Sequence, residues 1–356
     1  MMPTQQTTFP FYQFSGTHRH VGRLFGEACE TLIHRHLQLV YERLGEKVGL
    51  TREQALEKVL PYRRYVLDYA PQFDEEVRGL AEGSRLTLEE AYLLQLRAEL
   101  NPHKPKVENE CTTFAILPEA TSDGVALIGQ NADLPTFYGE LSVVVEMRFD
   151  DAPAVLMLTP AGQISYIGMN DAGLGVFANY LTCDGWREGF PRYMFSRYAL
   201  QCSSIHEALQ AVRDLHRASS RNLIMLDERE AVDFENTPIK DALLHPEIGL
   251  IAHANHYLAK ELQSEERSRG RALENSRIRQ VRMVALLQKH HGKLNAELLQ
   301  TLLRDRATYP NAICHAPDDD DSGIMTFASV VAAPSKGTMW VAKGPPHLYD
   351  YAQYSL

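Results

Sequence analysis

The 356-residue chain is short of cysteine and tryptophan, with five of the former, at positions 29, 111, 183, 202 and 314, and two of the latter. The cysteines are odd in number, widely spaced and free of any CxxC pair, which argues against a disulfide framework or a zinc site and fits reduced thiols in a cytoplasm. Long apolar runs are missing too: none approaches the roughly 20 residues that a membrane-spanning helix needs. The N-terminal MMPTQQTTFPFYQFSG lacks the basic-then-apolar order of a secretory signal. A glycine-rich phosphate loop is absent, so no nucleotide cofactor is indicated. Basic charge is scarce, 36 Lys and Arg against 46 Asp and Glu for a net charge of −10, which disfavours a nucleic-acid binder. One basic cluster, Arg267, Arg269, Arg271, Arg277, Arg279 and Arg282, alternates with Glu261, Glu265, Glu266 and Glu274 and reads as a solvated helix face.

What is present is the composition of a soluble globular chain, 44% hydrophobic and 23% charged, long enough for a large core. The first hundred residues read as helices. Thr17 caps a helix predicted from His18 to Leu44, with Val21, Leu24, Phe25, Cys29, Leu32 and Ile33 at three- and four-residue spacing. Others begin near Thr51 and Phe73, the latter stopped by Gly83, and Thr87 opens a helix with an acid three residues on. The prolines of NPHKPKVENE end this region. From residue 111 the pattern turns to short β-rich runs, Thr112 to Leu117, Val125 to Gln130, Leu141 to Phe149, Ala154 to Leu158, Ser165 to Met169 and Leu174 to Tyr180, which predict a meander in one antiparallel sheet. Helices at Ser204 to His216 and Glu261 to Lys289, and final strands at Ile324 to Ala332 and Thr338 to Ala342, complete an α+β pattern of two sheets covered by helices.

Cys111 carries the main candidate chemistry. It is either a small buried hydrophobe or a nucleophile. If the first two strands pair as a hairpin, Asn131 and Asp133 return beside it. A carboxylate there raises a thiol pKa, but it suits an amine. Cleavage of the Glu110–Cys111 bond gives that amine, whose reference pKa of about 7.7 makes it a base near neutrality. One residue then supplies nucleophile and base.

NECTTFA, GQNAD, GMNDAGLGVFANYL and HANHY, in this order, resemble the acyl-coenzyme A:6-aminopenicillanic acid acyltransferase family, a branch of the N-terminal nucleophile hydrolases related to bile-salt hydrolases and penicillin V acylases. VRGLAEGSRLTLEEAYLLQLRAEL, SRIRQVRMVALL and FASVVAAPSKGTMWVAKGPP extend the match over nearly the whole chain. The resemblance implies a four-layer αββα sandwich with an N-terminal helical segment, cut before Cys111 into a small subunit of residues 1–110 and a catalytic region of residues 111–356 that stay associated. It implies Cys111 as nucleophile, Asp133 as the holder of its amine, Asn255 as an oxyanion-hole donor and Asn179 as a second polar asparagine. Thr112, Gln130, Asn131 and Tyr180 are further substrate or oxyanion candidates. Gln130 stands where bile-salt hydrolases have arginine and the acyltransferases glutamine. DDDDSGIMTF lacks the arginine that the acyltransferase has ahead of its last strands.

The implied partner is a small linear amide, with no resident cofactor, acyl-coenzyme A as an acyl donor or acceptor, and a homo-oligomer open. Two rival readings use the same residues: an uncut, non-catalytic binding or scaffold descendant, and a papain-like hydrolase pairing Cys111 with His253 or His256. The spacing of those two histidines lacks an acidic partner for a metal. His18, His20, His34, His36, His290 and His291 read as surface residues, Asp318 to Asp321 as a solvated loop, and the other four cysteines as packing. Trp186, Tyr180, Phe137 and Tyr138 are candidates for a pocket wall near Cys111.

Overall fold

The computed structural model describes residues 7–96, 98–100, 110–319 and 323–356. In chain order the elements are β1 (Phe11–Gly16), α1 (His18–Ala28), α2 (Glu30–Val48), α3 (Arg52–Glu57), α4 (Leu60–Tyr69), α5 (Pro71–Ser84), α6 (Leu88–Leu96), β2 (Glu110–Ile116), β3 (Leu127–Pro135), α7 (Tyr138–Leu141), β4 (Ser142–Phe149), β5 (Val155–Pro160), β6 (Ile167–Asn170) and β7 (Gly175–Phe177). They continue as α8 (Tyr193–Ala199), α9 (Ile205–Asp214), β8 (Arg221–Leu226), β9 (Ala231–Asn236), β10 (Asp241–Leu244), β11 (Leu250–His253), α10 (Gly270–Lys289), α11 (Ala296–Leu302), β12 (Ile324–Ala333), β13 (Thr338–Ala342) and β14 (Tyr351–Ser355).

The strands form two sheets, ordered β1-β4-β5-β6-β7-β8-β9-β10 and β11-β2-β3-β12-β13-β14. All pairings are antiparallel except β1 with β4. The meander is therefore not one sheet: the chain leaves β3 at Pro135 and enters the other sheet at β4, with α7 in between. Period-two alternation sets the layers. Val143 and Val145 face a core shared with Val21, Leu37, Val77, Leu94 and Phe195 of the first helical layer. Val144, between them, faces the inter-sheet core with Ala115, Ile128, Leu158 and Val330. Phe114 and Ile116 turn the other way, onto Met283 and Leu286 of α10 and Leu299 of α11. Helix, sheet, sheet, helix is the αββα sandwich, and Cys111 is the second residue of β2, a strand of its inner layers.

The helical entry region differs from expectation in three respects. It holds a strand, β1, which joins the eight-stranded sheet. The helix predicted from His18 to Leu44 breaks at Cys29, whose φ of −112° and ψ of 14° are not helical. Gly83 does not stop α5, which runs on to Ser84 and ends at Arg85 in the left-handed region. The Thr17 cap and the Thr87–Glu90 capping pair form as read. The helix expected from Glu261 starts at Gly270, and a further helix, α11, follows it.

Candidate active site

The β2–β3 ladder pairs Glu110 with Asp133, Cys111 with Ala132, Thr112 with Asn131 and Thr113 with Gln130, so Asp133 does return to the start of β2. Alternation sends Cys111, Thr113, Gln130 and Ala132 toward the other sheet, and Thr112, Asn131 and Asp133 toward the helical layer of α10 and α11. Cys111 is 3% exposed. Burial, and next the charge of Asp133, push its thiol up to about 11, against opposing help from the Asp133 backbone N–H, the Gln130 side chain and the Arg279 charge. At neutral pH the thiol is protonated and needs a base.

The backbone of Cys111 is held on both sides. Its N–H donates to Asn255 Oδ1 at 2.7 Å. Its carbonyl accepts from Asn179 Nδ2 at 3.2 Å and from Arg279 Nη1. Asn255 Nδ2 donates to the Tyr180 carbonyl at 3.1 Å, so Asn255 faces the Cys111 N–H with its oxygen. Asn179 Nδ2 also lies 3.0 and 2.8 Å from the His253 and Ala254 carbonyls, and Thr113 Oγ1 donates to its Oδ1. Gln130 clasps Ala178 across the sheets, accepting at Oε1 and donating from Nε2, which fixes the Asn179–Tyr180 segment. Asp133 Oδ1 accepts from Thr326 Oγ1 at 2.6 Å. Asn131 lies apart, its Nδ2 on the Leu303 and Ile313 carbonyls and its Oδ1 on Ser329. It secures the sheet to the loop around α11 and takes no part in the site.

Arg279 is the residue beside Cys111 that charge patterning misplaced. It is fully buried, where a solvated face was expected. Its Nη1 also reaches Thr112 Oγ1 at 2.9 Å, Nη2 reaches Asn255 Oδ1 at 3.0 Å, and Nε reaches Asn275 at 2.6 Å. All these acceptors are neutral, so the guanidinium leaves a positive field beside Cys111. Its signal in the sequence was its place inside SRIRQVRMVALL, on the helix stripe with Asn275 and Met283, both buried.

Of the proposed pocket aromatics, Tyr180 lines a small cavity with Cys111, and Trp186 packs edge-on to Tyr180. Tyr138 belongs to the inter-sheet core, with Phe137 packed beside it. Three surface assignments also fail. His18 and His36 are buried, His18 on Glu76 at 3.2 Å and His36 on the Ala161 carbonyl at 2.8 Å. Asp319 is paired with Arg306 at 2.6 Å, whereas residues 320–322 lie outside the described ones.

Neither histidine suits a papain-like pair. His253 has both ring nitrogens on oxygens, Glu235 Oε1 at 2.7 Å and the Ala254 carbonyl at 2.7 Å, which requires an imidazolium. Burial alone would lower its pKa, but Asp233 and Glu235 outweigh it and raise it to about 9. His256 is held at Nδ1 by Ser276 and lowered to about 3, by burial first and then by His253 and the nearby arginines. Among the described residues no group of three or more His, Cys, Asp or Glu could hold a metal, and no helix is long and apolar enough to cross a membrane.

An αββα sandwich with a cysteine near the start of an inner strand, an aspartate on the facing strand and two asparagines on the cysteine backbone is the class that fold and site define. The family model described as acyl-coenzyme A:6-aminopenicillanic acid acyl-transferase matches residues 120–347, and the chain belongs to that family. The 40 kDa form of acyl-coenzyme A:6-aminopenicillanic-acid-acyltransferase from Emericella nidulans is 28% identical over 320 residues, 89% of this chain and 87% of the relative. Among solved structures, a variant of conjugated bile acid hydrolase from Clostridium perfringens is 13% identical with a TM-score of 0.48, over 69% of this chain and 92% of that one. Penicillin V acylase from Agrobacterium tumefaciens is 14% identical with a TM-score of 0.44, over 65% and 82%. The kind of function this family carries is that of an acyltransferase enzyme.

Proposed function

We propose that this chain is a self-processing N-terminal cysteine amidohydrolase or acyltransferase acting on a linear amide. The observation that supports it most is the convergence on one residue: Asn255 meets the Cys111 N–H, Asn179 and Arg279 meet its carbonyl, and Asp133 stands opposite the residue before it. In maturation the Cys111 sulfur attacks the Glu110 carbonyl carbon, the Glu110–Cys111 C–N bond breaks, and the nitrogen leaves as an amine carrying the thiol proton. Water then cleaves the thioester. The freed α-amine supplies the base that a thiol held near 11 needs, and Asp133 stabilises its ammonium form.

In turnover the amine takes the thiol proton, sulfur adds to the substrate carbonyl, and the developing oxyanion is met by the Asn255 Nδ2 amide, which in the uncut chain donates to the Tyr180 carbonyl, a donor type worth about 10²–10³ in rate. The ammonium protonates the departing amine. Water, or a second amine, then releases the acyl group. Acyl-coenzyme A fits this scheme as a substrate rather than a resident cofactor, and the cut pieces stay together because β1 and α1–α6 share a sheet and a core with the remainder.

Acid-quenched mass spectrometry with a panel of N-acyl amides tests this reading. The expected result is an acyl adduct on the fragment beginning at Cys111, absent in Cys111→Ala. Turnover by Cys111→Ala would overturn it.

A further inference from the structure

Two buried arginines share the cavity that touches Cys111. It is lined by Cys111, Asn179, Tyr180, Arg192, Tyr193 and Arg221. Arg192 is 3% exposed and Arg221 is 2% exposed. The Arg192 guanidinium sits 4.5 Å from the Tyr180 ring centre, 5.0 Å from Tyr193 and 5.7 Å from Trp186. Its Nε and Nη1 are buried and have no hydrogen-bond partner among the described residues. Arg221 spends one N–H on the Arg192 carbonyl at 2.9 Å and lies over Tyr193 at 5.4 Å.

Aromatic faces offset only part of the cost of burying a guanidinium, and an unspent buried donor adds to that cost. Glu99, a nearby carboxylate among the described residues, feels the Arg192 charge without forming an ion pair with it. Its Oε1 accepts from the Arg192 backbone N–H at 2.9 Å and from Ser219 Oγ at 3.0 Å, and its side chain makes no hydrogen bond to either guanidinium. Two cations, Arg192 with donors to spare, walled by tyrosines at the nucleophile, are built for an anion of small size.

We propose that this cavity is a carboxylate subsite, so that the amide cleaved at Cys111 carries a carboxylate within a few bonds of its scissile carbonyl, as an N-acylated amino acid does. Arg192 supplies the free donors and Arg221 the second charge. The assignment rests on Cys111 being the nucleophile, and its test separates the two claims.

The test compares alkylation of Cys111 by iodoacetate and by its neutral counterpart iodoacetamide, read by peptide mass spectrometry on the purified full-length product, with glutathione as the reference thiol. The expected result is an iodoacetate-to-iodoacetamide rate ratio at Cys111 on the order of tenfold or more above that of glutathione. Arg192→Gln and, separately, Arg221→Gln should bring the ratio toward the glutathione value, and Arg192→Lys should keep most of it. A wild-type ratio equal to that of glutathione, with Cys111 alkylated by iodoacetamide, overturns the subsite and leaves the nucleophile standing. Resistance of Cys111 to both reagents overturns the nucleophile and the subsite together. The wild-type ratio decides the matter even if a variant fails to fold.

Discussion

Asp133 acts on Cys111 in two opposed ways, raising its thiol pKa while suiting the amine that cleavage would free. Asp133→Asn should therefore ease ionisation of the thiol and still lose amide turnover, by about 10²-fold or more if the amine is the base; steady-state kinetics check it, and a wild-type rate would remove Asp133 from the mechanism. Arg279→Met should cost about 10²–10³ in turnover by freeing the Cys111 carbonyl and Asn255 from their donor. An unchanged kcat would make Arg279 purely structural. Cys111 and Asp133 were legible because a hairpin is a local object: a turn between two alternating strands fixes who stands opposite whom. Arg279 was not, since alternating charges along a helix look the same whether one arginine faces water or a carbonyl 168 residues away. The burial of His18 and His36 escaped for the same reason.

Helices α1 and α5 touch backbone to backbone through Gly22 and Gly26 on one and Gly79 and Gly83 on the other. A Cβ on Gly22 would lie 2.0 Å from the Glu76 carbonyl oxygen, and one on Gly79 would lie 2.0 Å from that of Arg19. Gly79→Ala must push the helices apart and should destabilise the protein by about 1–3 kcal/mol. Gly45→Ala, in α2 with only the Leu50 carbonyl oxygen at 3.9 Å, should stabilise it by about 0.5–1 kcal/mol. Denaturant titration of the two variants checks the contrast, and equal effects would contradict the seam. In the sequence Gly83 read as a helix stop and the other three drew no reading, because four-residue glycine spacing signals close approach only once the facing helix is known. The meander was read correctly strand by strand but placed in one sheet, since nothing in β3 or β4 alone says that the chain changes layer between them.

The whole molecule is a sandwich whose inner sheets bury a charged group, His253, against Glu235. Its pKa is raised in the folded state to about 9 from an ordinary value near 6.5, so the stabilisation is fully present below about pH 6.5 and is lost as pH rises through about 9. The melting temperature should fall across that window, and a rise would contradict the buried imidazolium. Layering was visible in the sequence as helices, then strands, then helices between strands, whereas the entry of β1 into the far sheet was hidden, since a six-residue strand ahead of a long helical region carries little pattern of its own. That strand and the helices behind it also explain how a cut chain would hold together. Intact mass spectrometry of the purified protein under denaturing conditions tests the central claim most directly. Two fragments, one ending at Glu110 and one beginning at Cys111, are the predicted result; a single chain of 40.2 kDa would contradict it.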